Sequence, residues 1–235
     1  MTDLDVRVIR NITKEYPDMI KVMVYKEPRW FYNTCTPKRH AVEDFKPTVS
    51  SISRTKTLLR DIVLCNDFEL FCTFTFDPAK VDSFNYNACR YVMSTWLHHQ
   101  KDVATSKGRN FKYLIVPEKH KSGRWHFHAL ISGYSSTLKD TGLKTSTIRP
   151  IYNITSFRSG FTSATPIDSK EALSQYVTKY ITKEFITIFN RKRFTCSNNL
   201  VRPVKTVNKD LRFISQIFHN KVAENRDSLF FLIDK

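Results

Sequence analysis

An α+β fold, with helices packed on a central antiparallel sheet, is what this 235-residue sequence predicts. Three observations point to it. Two apolar stretches, 111–118 and 125–132, flank Lys121-Ser122-Gly123 and read as a hairpin with glycine in the left-handed position of a three-residue loop. Further stretches at 68–76, 151–157 and 160–167 are strand-like, short and rich in β-branched and aromatic residues. Between them, 53–65 and 86–101 repeat their apolar residues at helical spacing. Helices that alternate with strands around a hairpin suit a sheet covered by helices.

Taken in order, residues 1–50 are the least regular. Residues 20–25 form a short strand, and Trp30-Phe31-Tyr32 is read as a packing cluster in preference to a DNA contact. The helix over 53–65 places Leu58, Leu59, Ile62 and Val63 near one face, with Ile52 just ahead of it. The strand over 68–76 ends at Asp77-Pro78, where proline cannot donate to a ladder. Cys89, Val92, Met93 and Trp96 form the apolar face of the helix over 86–101. Residues 133–149 are polar, rich in Ser and Thr, and are expected to be loop. A helix then starts at Asp168 or Ser169 as N-cap and runs through 176–183, with Leu173, Val177 and Ile181 as its packing stripe. Leu211, Ile214 and Phe218 suggest a last helix over 210–222. The chain thus divides into an N-terminal extension over 1–50, a main domain over 51–190 and a basic C-terminal extension over 191–235.

Charge narrows the partners. Lys and Arg number 38 against 22 Asp and Glu, a formal net charge of +16, which favours a polyanion and makes binding salt-dependent. Basic residues gather around the hairpin and after 179. No apolar run has the length of a membrane span, the first five residues carry charge where a signal peptide would be apolar, and five cysteines without C-x-x-C spacing suit reduced thiols of a cytoplasmic protein. No phosphate-cradling G-x-x-x-x-G-K-[ST] occurs, so strand unwinding by this chain's own ATPase is not expected.

The chemistry starts at Trp125-His126-Phe127-His128. Alternation on a strand puts both imidazoles on one face, while Trp125, Phe127, Ala129 and Ile131 face the core. With the loop at 121–123, Glu118 falls opposite His126 and His128 lies on the diagonal; a slip of one residue would turn Glu118 to the other face. A carboxylate and two imidazoles converging from one hairpin can hold a divalent metal. An isolated H-x-H arises often by chance, so Glu118 decides its weight.

A second constellation is Tyr176-Val177-Thr178-Lys179-Tyr180-Ile181-Thr182-Lys183. Positions four apart stack on one helical face, so Tyr176 and Tyr180 stand one turn apart, with Lys179 and Lys183 on the neighbouring stripe. A free phenol is a poor nucleophile at neutral pH and needs a nearby cation to favour the phenolate. An ordinary amphipathic helix explains one such tyrosine; the doubled Tyr-x-x-Lys frame suggests more.

In their order these motifs resemble the HUH endonucleases, the initiators of rolling-circle replication in plasmids and small DNA phages. Motif one is Phe71-Cys72-Thr73-Phe74-Thr75-Phe76-Asp77-Pro78, motif two His126-Phe127-His128, and motif three the tyrosine helix. The doubled tyrosine is similar to that of phage gene A proteins. The stretches Leu114 to His120, Gly123 to His126, Arg149 to Ile154 and Gly160-Phe161 are similar to those of bacterial rolling-circle replication proteins. The likeness covers about 50 to 190, which becomes the endonuclease domain.

The resemblance implies an RRM-like, ferredoxin-like core and a site-specific nickase of single-stranded or stem-loop origin DNA. Mg²⁺ or Mn²⁺ is expected on His126, His128 and Glu118, with Zn²⁺ or Co²⁺ also compatible with two imidazoles. Tyr176 and Tyr180 are the expected nucleophiles, Lys179 and Lys183 their charge partners, and Lys119, Lys121, Arg124, Arg191, Lys192 and Arg193 the DNA contacts. A host helicase and DNA polymerase are the expected partners, in the cytoplasm of a bacterial host, with no membrane. Three other readings stay open: a transposase or mobilisation relaxase using the same chemistry, a non-catalytic RRM-like nucleic-acid-binding module, and a cupin-like H-x-H metalloenzyme. The last lacks the glycines and the downstream carboxylate of such barrels.

Overall fold

The computed structural model describes residues 6–32, 49–170, 173, 193–208, 221–225 and 227–234. Its elements run β1 Val6–Glu15, β2 Met19–Tyr32, α1 Val49–Cys65, β3 Leu70–Phe76, α2 Tyr86–Ser106, β4 Lys112–Lys119 and β5 Trp125–Ser132. They continue with β6 Leu138–Lys144, β7 Pro150–Ile154, β8 Gly160–Pro166, β9 Thr195–Cys196, β10 Val204–Val207, β11 Lys221–Glu224 and β12 Ser228–Asp234. The result is an α+β protein with two antiparallel sheets. It divides into two compact units, one of Met1–His40 with Val201–Lys235, the other of Ala41–Leu200.

The larger unit is built on a seven-stranded sheet in the order β6-β7-β8-β3-β5-β4-β9. Strands β3 and β4 both pair antiparallel with β5 between them, so β3, α2 and β4 make a split βαβ unit. Helix α2 begins at Asn85, whose side chain accepts from the backbone N–H groups of Asn87 and Ala88. Its Cys89, Met93, Trp96, Leu97 and Ala104 are buried. They pack on Cys72, Phe74 and Phe76 of β3 and on Trp125, Phe127, Ala129 and Ile131 of β5. Phe74 sits at the centre, with the rings of Trp96 and Phe157 at 4.9 and 5.0 Å.

A second cluster lies on the sheet's other face, where Leu114, Val116 and Leu130 pack with Leu59, Ile62 and Val63 of α1. Alternation along β3 therefore divides the strand: Cys72, Phe74 and Phe76 go to the α2 core, and Phe71, Thr73 and Thr75 to the opposite face. Gly160 lets β8 close on β3, because a Cβ there would stand 2.0 Å from the Thr75 carbonyl oxygen.

The smaller unit is a five-stranded sheet, β10-β1-β2-β12-β11. Val22 and Phe231 are directly paired and buried, with Ile20, Val24, Leu229 and Ile233 around them.

Three sequence expectations change. Residues 133–149 are not all loop: β6 pairs with β7 across Leu138↔Ile154, Lys139↔Asn153 and Asp140↔Tyr152. β6 is an edge strand, mostly exposed, so it shows no apolar alternation to read. The short strand expected at 20–25 is the middle of the longer β2, paired on both sides. Of the helix expected over 210–222, residues 210–220 lie outside the described residues, and Val222 belongs to β11.

Candidate functional site

The β4–β5 hairpin sets the register. His120 N–H donates to the Arg124 carbonyl at 2.8 Å, and Gly123 N–H donates to the His120 carbonyl at 2.8 Å. Gly123 closes this three-residue loop at φ 84, a conformation that costs glycine nothing. From there the ladder pairs Glu118 with His126 and Val116 with His128. Across β5, His126 faces Thr75 and His128 faces Thr73 of β3. Two imidazoles, a carboxylate and two threonine hydroxyls thus share one face, opposite the α2 core.

The contacts orient both rings. His128 Nε2 lies 2.5 Å from Glu118 Oε2. An ionised carboxylate only accepts, so Nε2–H donates, and in the neutral ring Nδ1 is then the acceptor for Thr73 Oγ1, at 3.2 Å. His126 Nδ1 lies 3.4 Å from Thr75 Oγ1. The His128 ring stacks on Phe71 at 5.9 Å, and that of His126 on His120 at 5.3 Å. Burial pushes the His126 pKa below the ordinary histidine value, the imidazoles of His120 and His128 push it further, and Glu118 opposes. The neutral imidazole that results is the form with a lone pair to give. Among the described residues, no three His, Cys, Asp or Glu side chains already form a metal cage. Burial raises the Cys72 pKa, and burial with the charge of Asp82 raises that of Cys89 to about 11, which disfavours the thiolate at these two core positions.

The expected basic residues have different surroundings. Arg124 lies over the exposed ring of Phe84 at 5.3 Å, Lys119 Nζ over Trp125 at 6.0 Å, and Lys121 is exposed at the hairpin tip. Arg193 makes hydrogen bonds to α1, through the Ser51 carbonyl at 2.9 Å, Ser51 Oγ at 3.0 Å and Thr55 Oγ1 at 2.8 Å. Tyr176, Lys179, Tyr180, Lys183, Arg191 and Lys192 lie outside the described residues.

Sequence reasoning named motif one but gave its threonines no role. Their signal was parity: Thr73 and Thr75 alternate with the buried Cys72, Phe74 and Phe76, so they had to face away from the core. Phe161, paired with Thr75 and 72 % exposed, and Ser163, paired with Thr73, extend that face onto β8 and were also missed.

A face of this kind sits inside a recognisable sequence. Residues 69–185 match the family described as replication-associated protein ORF2, or phage gene 2 protein. This segment belongs to that family. The replication-associated segment contains β3, α2, the β4–β5 hairpin with both histidines and Glu118, and strands β6 to β8. The match gives the segment a role in replication. No curated protein and no solved structure matches the chain. No described helix is long and apolar enough to cross a membrane.

Proposed function

We propose that this protein is a rolling-circle replication initiator of the HUH type, which nicks single-stranded or stem-loop origin DNA through a 5′-phosphotyrosine intermediate. The observation that supports it is the placement of His126, His128 and Glu118 together on one sheet face within the replication-associated segment. Helix α2 covers the other face, and α1 packs on Leu114, Val116 and Leu130 of the face that bears the histidines, so it is the histidine end of that face that an RRM-like sheet would present to nucleic acid.

The donor set fits a divalent ion. Binding the ion would change the His128 tautomer: Nε2 would give up the proton it shares with Glu118, and Nδ1–H would donate to Thr73 Oγ1, as His126 Nδ1–H would to Thr75 Oγ1, the outer partner that fixes a ligating ring. His126, His128 and Glu118 would hold Mn²⁺ or Mg²⁺, and such an ion supplies Lewis-acid polarisation of a phosphate oxygen. The chain's own residues do the rest. Tyr176 or Tyr180 loses its phenolic proton, and its oxygen bonds the scissile phosphorus in line. The bond from phosphorus to the 3′ oxygen breaks, and that oxygen leaves as a hydroxyl able to prime synthesis. Lys179 and Lys183 stabilise phenolate and phosphate charge. Lys121 and Arg124 hold the backbone near the hairpin, joined by Arg191 and Lys192 of the basic extension, whereas Lys119 lies over Trp125 on the other face and Arg193 is taken up by α1. A second tyrosine lets the new junction be cut while the first still carries DNA. Host helicase and polymerase then extend the primer.

The test is His126→Ala combined with His128→Ala. Cleavage of single-stranded DNA with Mn²⁺ is lost, while the circular dichroism spectrum and most DNA affinity remain. Cutting at the wild-type rate by that double variant would remove the metal assignment.

A further inference from the structure

Next to the histidines, on the same sheet face, lies a pocket of about 370 Å³. Phe71, Thr73, Ser163 and Thr165 line it from β3 and β8, and Thr145 and Arg149 from the β6–β7 turn. Its wall joins the candidate site directly: Thr73 contacts His128 Nδ1, and Ser163 is the partner of Thr73 across β8. Two strand spacings put Ser163 about 10 Å from His128 along the sheet.

We propose that this pocket holds one unpaired nucleotide of the bound strand, with Arg149 on its phosphate and the hydroxyl of Ser163 on its base edge. The proposal rests on the nicking reading and adds to it where, beside the metal ligands, sequence is read.

Four features support the assignment. The volume is near the small end of the roughly 300–1,000 Å³ of small-ligand sites, so one nucleotide fits and a duplex does not. The lining sets a cation and hydroxyls beside the apolar Phe71, Ile151, Ile167 and Leu173, which suits a ligand with an apolar face and polar edges, as a nucleotide has, better than a wholly apolar one. Arg149 is anchored once through its guanidinium and once through its backbone. Asp168 Oδ2 takes its Nε at 2.7 Å, leaving the two terminal nitrogens outside that pair, and the Arg149 backbone N–H donates to Thr145 Oγ1 at 3.1 Å. A guanidinium paired at Nε keeps its terminal nitrogens for a phosphate, where arginine can bind two oxygens at once. The hydroxyl of Ser163 has no partner among the described residues, so it is available to a ligand.

The experiment uses the full chain and a fluorescent random-sequence single-stranded DNA pool. Anisotropy against salt gives affinity and slope, and sequencing of the bound fraction gives base preference. For Arg149→Met, the slope of log affinity against log salt becomes shallower by about 0.7, the loss of one phosphate contact on a single strand. Arg149→Lys restores that slope. Ser163→Ala lowers the affinity for the pool by no more than about threefold and removes a preference of about 2- to 10-fold at one nucleotide position, the worth of a neutral hydrogen bond. Unchanged slope in Arg149→Met, or unchanged preference in Ser163→Ala, overturns the pocket. So does a wild type that binds and cuts the pool with no base preference anywhere, which leaves the nicking reading standing. A wild type that does not bind single-stranded DNA overturns both.

Discussion

Ile148 holds the position in the β6–β7 turn that Gly123 holds in the β4–β5 hairpin. The two turns close alike: Thr145 N–H to the Arg149 carbonyl at 2.9 Å and Ile148 N–H to the Thr145 carbonyl at 2.9 Å repeat the pattern at His120 and Arg124. Yet Ile148 sits at φ 63 with a β-branched side chain that is 74 % exposed. Such a residue in the left-handed region stores on the order of 1 kcal/mol or more, and no burial offsets it here. Ile148→Gly therefore raises the denaturant midpoint, by an amount equivalent to about 1 kcal/mol. A lowered midpoint would show that the isoleucine is not strained. His126 gives a second prediction. Burial lowers its folded pKa below the ordinary value, so over the interval between the two the unfolded chain binds more protons. Its contribution is therefore complete above the ordinary histidine range and is lost as pH falls through it. In a chelating buffer, the thermal midpoint of the wild type should fall more steeply between about pH 7 and about pH 5 than that of His126→Asn. Parallel curves would contradict the shift.

At the scale of elements, β3 does two jobs from one alternation. Its buried parity, Cys72, Phe74 and Phe76, anchors the α2 core, and its other parity sets Thr73 and Thr75 behind the histidines. Thr73→Val with Thr75→Val keeps size and strand preference but removes both hydroxyls. Mn²⁺ affinity by calorimetry and the cleavage rate should each fall about 10- to 100-fold, the usual cost of losing outer partners. A change under twofold would make the threonines bystanders. The hairpin was legible because its signals agree: a glycine three residues after His120, apolar alternation and a fixed loop length together determine the register that puts Glu118 opposite His126. β6 was not legible. Its sequence, Leu138-Lys139-Asp140-Thr141-Gly142-Leu143-Lys144, lies on an edge with little to bury, and its register shifts between Asp140 and Lys144. The strands β1, β10 and β12 were missed for another reason. Each pairs with a partner far away in sequence or sits where local pattern is weak, as Phe231↔Val22 shows.

Over the whole molecule, the net charge of +16 and the absence of a membrane-length apolar run pointed to a polyanion, and the family match over residues 69–185 narrows this to replication. The division at His40 and Leu200 could not be read from composition, because the smaller unit draws its strands from both ends of the chain. Of the candidate site, the meeting of His126, His128 and Glu118 on one face was readable from spacing and the supporting face from β8 was not, since Phe161 and Ser163 acquire meaning only through pairing with β3. The nicking mechanism requires that a tyrosine becomes joined to DNA. The most direct measurement incubates the protein with 3′-labelled single-stranded DNA and Mn²⁺ and resolves it on a denaturing protein gel, for wild type, Tyr176→Phe, Tyr180→Phe and the double variant. Label should travel with the wild-type protein and disappear in the double variant, and loss in one single variant names the principal nucleophile. Tight DNA binding with no label on the wild-type protein, whichever divalent ion is supplied, would contradict the nicking mechanism and leave a nucleic-acid-binding module.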